Sequence, residues 1–220
     1  MRKNEYFCTQ NYTKLKKMKK FLAVASIFLA SISGFAQNEV GSFMVTPKVG
    51  IAAANMSTFE KSDYRLGFTL GAEVGYQVNN DFSVSLAAQY SQEGTSSDWQ
   101  WFDGTVKLDY INVPIMANYY WDHGITLKVG LQPGFNLSAK GTLKGGSEGD
   151  LDKAVLDEWG NGILVKPVVI SLPVGIAYEK NNLVFDLRYN IGLTDALKFS
   201  NQRATNFVFQ FTLGYKIPLK

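Results

Sequence analysis

Apolar and polar residues alternate with a period of two in eight segments between Ser42 and Lys220. In Asn206 to Ile217, Phe207, Phe209, Phe211, Leu213, Tyr215 and Ile217 share one face, and Val208, Gln210, Thr212, Gly214 and Lys216 share the other. Successive strand side chains point to opposite sides, so such a segment can set an apolar face in lipid and a polar face in a lumen. The pattern predicts strands over Ser42 to Ala54, Arg65 to Val78, Phe82 to Gln92, Val106 to Tyr120, Ile125 to Lys140, Val165 to Glu179, Leu183 to Leu193 and Asn206 to Ile217. Each is long enough to cross a bilayer at a tilt, which takes roughly 9–11 residues. Asn79-Asn80-Asp81, Asp122-His123-Gly124 and Lys180-Asn181-Asn182 read as tight turns. The four other connections are read as about 10 to 25 residues, and short turns alternating with long loops are the order of a bacterial outer-membrane barrel. The expected fold is all-β: an eight-stranded antiparallel up-and-down transmembrane β-barrel.

The expected lipid faces are Leu66, Phe68, Leu70, Ala72, Val74 and Tyr76 on the second strand and Phe82, Val84, Leu86, Ala88 and Tyr90 on the third. Tyr76, Phe82, Tyr119, Tyr120, Trp121, Tyr178 and Tyr215 gather near strand ends, where amphipathic rings suit the headgroup level. The fourth strand is less regular. Leu108 and Tyr110 follow one phase, whereas Ile111, Val113, Ile115, Ala117 and Tyr119 follow the other; a bulge near Asn112-Val113-Pro114 would bring both sets to one face. Pro47, Pro114, Pro133, Pro167 and Pro173 each remove a ladder donor.

Ahead of the strands, Met18-Lys19-Lys20 opens a basic start, Phe21 to Ile32 is apolar, and Gly34-Phe35-Ala36 supplies small residues before Gln37. This reads as a signal peptide with cleavage after Ala36, giving an extension and leader over 1–36 with Met18 a candidate start, and a barrel domain over 37–220. The leader holds seven of the 22 Lys and Arg and one of the 19 Asp and Glu, so the remaining chain carries about −3 rather than the formal +3. The basic balance therefore gives no support for nucleic-acid binding. Cys8, the only cysteine, lies in the leader, so no disulfide is expected in the barrel.

Polar faces carry Lys48, Glu73, Lys128, Lys140, Glu179, Asp186, Arg188 and Lys216, spaced by glycines. Eight strands enclose little more than their own side chains, so Lys48, Glu73, Lys128, Glu179, Asp186, Arg188 and Lys216 are expected to pair as a charge network that plugs the lumen; a narrow ion path or a binding pocket, which would need some of those charges unpaired, is the alternative. No catalytic, cofactor or metal residues are expected. His123 is the only histidine and falls in a turn, no Cys/His set exists for zinc, and the acids Asp150, Asp152, Asp157 and Glu158 lack calcium-loop spacing. The loops offer two candidate partner-binding segments. One contains Trp99, Trp101 and Phe102; the other aligns Leu151, Val155 and Trp159 on two helical turns behind an Asp150 cap.

Gly67-Phe68-Thr69-Leu70-Gly71, Phe82 to Ser91, Lys107-Leu108-Asp109-Tyr110-Ile111-Asn112-Val113-Pro114 and Leu127 to Gly134 resemble the PorT-like outer-membrane β-barrel proteins of Gram-negative bacteria. The resemblance implies an eight-stranded barrel in the outer membrane and transfers no catalytic residue; the family's namesake is linked to a protein-secretion apparatus. The expected function is a non-enzymatic structural or partner-binding barrel. Its expected partners are outer-membrane lipid, the barrel-assembly machinery during insertion and an envelope or secretion protein. An outer-leaflet lipid or peptide enzyme and a small-solute pore are the rivals, and a soluble barrel with its apolar face inward is disfavoured by the broad aromatic faces.

Overall fold

Strands rich in Val, Phe, Leu, Tyr and Thr, punctuated by Asn, Asp and Gly, favour hairpins over helices. A computed structural model shows how they join; it describes residues 39–57, 62–99, 102–143, 148–150, 164–199 and 202–219. The strands are β1 (Phe43–Met56), β2 (Ser62–Asn79), β3 (Phe82–Trp99), β4 (Phe102–Asn112), β5 (Ile115–Tyr120), β6 (Ile125–Leu143), β7 (Glu148–Asp150), β8 (Leu164–Val165), β9 (Val168–Lys180), β10 (Leu183–Phe199), β11 (Gln202–Tyr215) and β12 (Ile217–Leu219). Each stave pairs antiparallel with the next in sequence, and β11 pairs with both β10 and β1, which closes the sheet. Counting β4 with β5, β8 with β9 and β11 with β12 gives eight staves, with β7 as a short flap on β6. Closure leaves no long edge to expose unpaired backbone groups in lipid.

At one end the expected tight turns are present. Asn181 and Asn182, at φ of 50° and 66°, connect the Lys180–Leu183 pair, the left-handed geometry that a two-residue hairpin loop requires. Asn79 and Phe82 close the β2–β3 turn, and Asn79 Oδ1 accepts from the amide of Asp81 at 2.9 Å.

The opposite end differs from the expected long loops. The strands continue as hairpins: β3 and β4 stay in unbroken register to the Trp99–Phe102 pair, and β10 and β11 pair on to Phe199 and Gln202 across register shifts between Ile191 and Leu197, so residues 93–99 and 102–105, read as loop, are hairpin. Backbone pairing is indifferent to polarity, and Gln, Ser and Thr continue a ladder once a strand has left lipid.

That end also reverses the polarity of the wall. Through the tight-turn half, Phe68, Leu70, Val74, Val84, Leu86, Val129, Leu131, Phe211 and Leu213 face outward, and Lys48, Glu73, Gln89, Asn118 and Gln210 are buried inside. Beyond Asn112, Val106, Leu108 and Tyr110 point inward and pack with Met56, Ala139, Ala196, Leu197 and Ala204, backed by Val165 and Val169. Lys107 and Asp109 take the outer side. The expected bulge at Asn112-Val113-Pro114 is therefore not needed. β4 and β5 hold one inward phase, and the two apolar sets occupy two faces of one stave. The bulge sits on β6 instead, where Ser138 pairs with Asp109 and Asn136 with Tyr110, leaving Leu137 extra. This shift turns Lys140 to the exposed outer side, so it does not belong to the lumen.

Outward rings mark both ends of the apolar belt. Phe43 lies 5.0 Å from Tyr76, and Tyr119 meets Trp121 edge-on at 6.3 Å, on the tight-turn side. Tyr189 and Phe209, 4.3 Å apart, lie toward the other side. Tyr120 departs from the expected girdle: its hydroxyl is within 3.0 Å of Ser83 Oγ, whose side chain is buried in the barrel.

Candidate functional site

The lumen is filled in layers, each set by strand register. Lys48 stands opposite Gly71 and Gly214, and Lys128 and Arg188 both stand opposite Gly175. A glycine beside each long cation leaves room for its stem to cross the narrow interior. The backbones also approach too closely for a side chain at some of these glycines: a Cβ on Gly71 would lie 2.3 Å from the carbonyl oxygen of Ala88.

At the tight-turn end, Lys216 pairs with Glu179 and sits 5.2 Å over the ring of Tyr120. Asn118 donates to Ser83 and Ser85 at 3.2 and 3.1 Å. These residues line a small open recess of about 20 Å³, with Lys48, Glu73 and Lys128 along its wall.

Above the cavity lies the central ion network. Lys48 reaches Glu73 at 2.5 Å and Asp186 at 3.1 Å; Lys128 reaches Glu73 at 3.3 Å and Asp186 at 3.0 Å. Arg188, two residues from Asp186 on the same face, donates to it at 2.8 Å and stands 3.9 Å from Glu73. Every side chain here is nine-tenths buried or close to it. Such burial is tolerable only because each carboxylate meets more than one cation. All seven residues expected in the charge network thus line the interior and fall into two groups, the Lys216–Glu179 pair and the five-residue cluster.

A neutral layer follows, in which Gln89 and Gln210 both donate to Thr69 Oγ1, at 2.8 and 3.1 Å. Beyond it is a group that sequence reasoning missed. The buried carboxylate of Glu93 accepts from Asn112 Nδ2 at 2.9 Å and from Asn206 Nδ2. The signal was present in Gln89, Ser91 and Glu93, which extend the inward polar phase of β3 beyond the predicted end of the strand at Gln92. The apolar cluster around Leu108 and Tyr110 then caps the lumen.

The candidate partner-binding segments are brought into view only in part. Trp99 and Phe102 form the last backbone pair of the β3–β4 hairpin, while Trp101, Leu151, Val155 and Trp159 lie outside the described residues. Asp150 ends the β7 strand opposite Lys140, and the segment it was expected to cap lies outside the described residues. His123 is exposed in the Asp122–Gly124 turn at a φ of 64°. Among the described residues, no group of three or more His, Cys, Asp or Glu side chains is arranged to hold a metal ion.

Residues 35–198 match the family model described as outer membrane protein beta-barrel domain. No curated protein matches the chain. Among solved structures, the chain is similar to Ail, the attachment invasion locus protein of Yersinia pestis, determined with the heparin analogue sucrose octasulfate. The identity is 16%, with 81% of this chain and 100% of that chain covered, at a TM-score of 0.50. Neisserial surface protein A shows 17% identity over 80% of this chain and 96% of its own, with a TM-score of 0.47. OprG from Pseudomonas aeruginosa shows 13% identity over 82% and 97%, with a TM-score of 0.44. At such identities the likeness is one of fold.

Proposed function

From the premise that this chain belongs to the outer membrane protein β-barrel domain family, we propose that it is a closed, non-enzymatic barrel that works through its extracellular end. It is an outer-membrane protein, and its lumen is stoppered rather than open. The observation that carries this reading is the double closure: a buried ion network across the middle and a buried apolar cluster above it. A solute moving along the axis would have to break several charge-assisted contacts and then cross an apolar constriction, and either is a barrier to conduction.

With the axis closed, the surface that remains for work outside the cell is the set of hairpins projecting beyond the lipid belt. Its proposed partner is an envelope or secretion protein, in keeping with the PorT-like sequence segments. Outer-membrane lipid and the barrel-assembly machinery are the proposed contacts of the wall and of the folding chain. Hairpins that extend as paired strands present side chains on a rigid scaffold, which lowers the ordering cost of binding.

The test has two arms. Purified barrel in planar bilayers should show no steady conductance above the bare membrane; a reproducible open level would overturn the closed reading. Mild-detergent pull-down from native outer membranes should recover a specific protein that is lost when residues 145–160 are removed. A folded barrel recovered alone from both forms would overturn partner binding.

A further inference from the structure

The central network holds three cations against two carboxylates, yet one more carboxylate lies apart from it. Glu93 is 4% exposed, and the groups that donate to it are neutral: the amides of Asn112 and Asn206 and the hydroxyl of Ser91. Among the described residues no lysine or arginine pairs with its carboxylate. Arg65 does approach residue 93, but it donates to the main-chain carbonyl. An ionised carboxylate placed in an interior without a compensating charge is costly, and neutral donors do not cancel its charge.

The surroundings supply what a small cation needs. Asn206 donates its amide nitrogen to Glu93, and its Oδ1 is buried without a partner. Ser91 shares the inward face of β3 two residues away and pairs across the ladder with Tyr110. Ser91 Oγ and Tyr110 OH are likewise buried, the first beside the Glu93 carboxylate and the second beside Asn136, and each hydroxyl oxygen keeps lone pairs to offer. All three oxygens belong to residues of the layer that holds this buried carboxylate. The donors are all oxygens, and only one is charged. Divalent calcium draws on several carboxylates, whereas one carboxylate with neutral oxygens balances a single positive charge.

We propose that Glu93, with Asn206, Ser91 and Tyr110, binds a small monovalent cation of the sodium class within the lumen, beneath the apolar cap. The ion enters while the barrel closes, because Leu108 and Val106 seal the chamber above and the ion network closes it below. The site is independent of any partner at the extracellular end.

The test uses the barrel refolded into detergent micelles in sodium chloride or choline chloride at equal ionic strength, with thermal unfolding followed by the gel-mobility difference between folded and unfolded forms. Sodium at ten times its dissociation constant multiplies the folded-to-unfolded ratio by about eleven. The wild type should therefore melt higher in sodium, saturably, and Glu93→Gln should lose the difference. Equal melting of the wild type in the two salts would overturn the proposal, as would a sodium effect that persists in Glu93→Gln. If Glu93→Gln does not fold, Ser91→Ala decides: removal of one oxygen should raise the sodium concentration at half-effect, and an unchanged half-effect counts against the site. A Glu93 carboxyl carbon resonance that follows proton concentration and ignores sodium would assign a bound proton and also overturn the proposal.

Discussion

Replacing Asp186 with Asn tests the central network most directly, because the side chain keeps its size and loses only its charge. In the native barrel Asp186 accepts from Lys48 at 3.1 Å, Lys128 at 3.0 Å and Arg188 at 2.8 Å, and is 1% exposed. Without it, three cations face Glu73 alone and the local excess rises from one positive charge to two. Breaking a buried pair by removing one partner costs about 3–5 kcal/mol, since the other charges stay behind. With each 1.4 kcal/mol a factor of ten, this corresponds to roughly two to three and a half decades in the unfolding equilibrium. Urea titration in lipid vesicles, read by tryptophan fluorescence and by gel mobility, measures it. Adding Lys128→Met to the variant restores the excess to a single charge and should recover at least half of the loss. The same double change should be insensitive to salt, because buried charges are poorly screened. A cost below about 1 kcal/mol for Asp186→Asn, the level of exposed pairs, would refute the claim that this network is buried and structural.

Other substitutions separate the two faces and the two zones. Val129→Arg, on the outward lipid face, should cost about 2–4 kcal/mol in the same vesicle titration. Lys140→Ala, on the exposed stretch beyond the belt, should change stability by no more than about 1 kcal/mol, the level of an exposed surface contact. Gly50→Val places a Cβ 2.0 Å from the carbonyl oxygen of Phe211; the strands would have to separate, so no folded band is expected on unheated gels. Leu108→Ala empties part of the apolar cap and should cost about 2–5 kcal/mol, without opening conductance while the ion network below is intact.

The strand count, the tight turns and the lumen charges were readable from the sequence because each follows from a period of two plus turn chemistry. Lys48, Glu73, Lys128, Asp186 and Arg188 lie in phase with small inward residues, and eight strands leave polar side chains no direction but one another. What periodicity does not encode is which face is inside. Val106, Leu108 and Tyr110 alternate with Lys107 and Asp109 just as a lipid-facing strand would, so they invite a bulge that puts them in the bilayer. The wall places them in the core instead, because that stretch is in water and follows the soluble rule. The apparent irregularity of the fourth strand was therefore the sign of the membrane edge: one uninterrupted stave changes solvent at Asn112 while keeping its phase. Glu93 escaped notice for the same reason. It sits at that edge, past the point where an apolar outer face ceases to identify a strand, and its inward direction follows only once β3 is known to run on to Trp99. In a barrel of this kind, the reversal of inward polarity along a stave locates the outer boundary of the lipid more directly than the ends of the apolar run. The buried polar group nearest that reversal, here Glu93 with its two asparagines, is then where an interior can hold chemistry that neither lipid nor the packed apolar cap would admit.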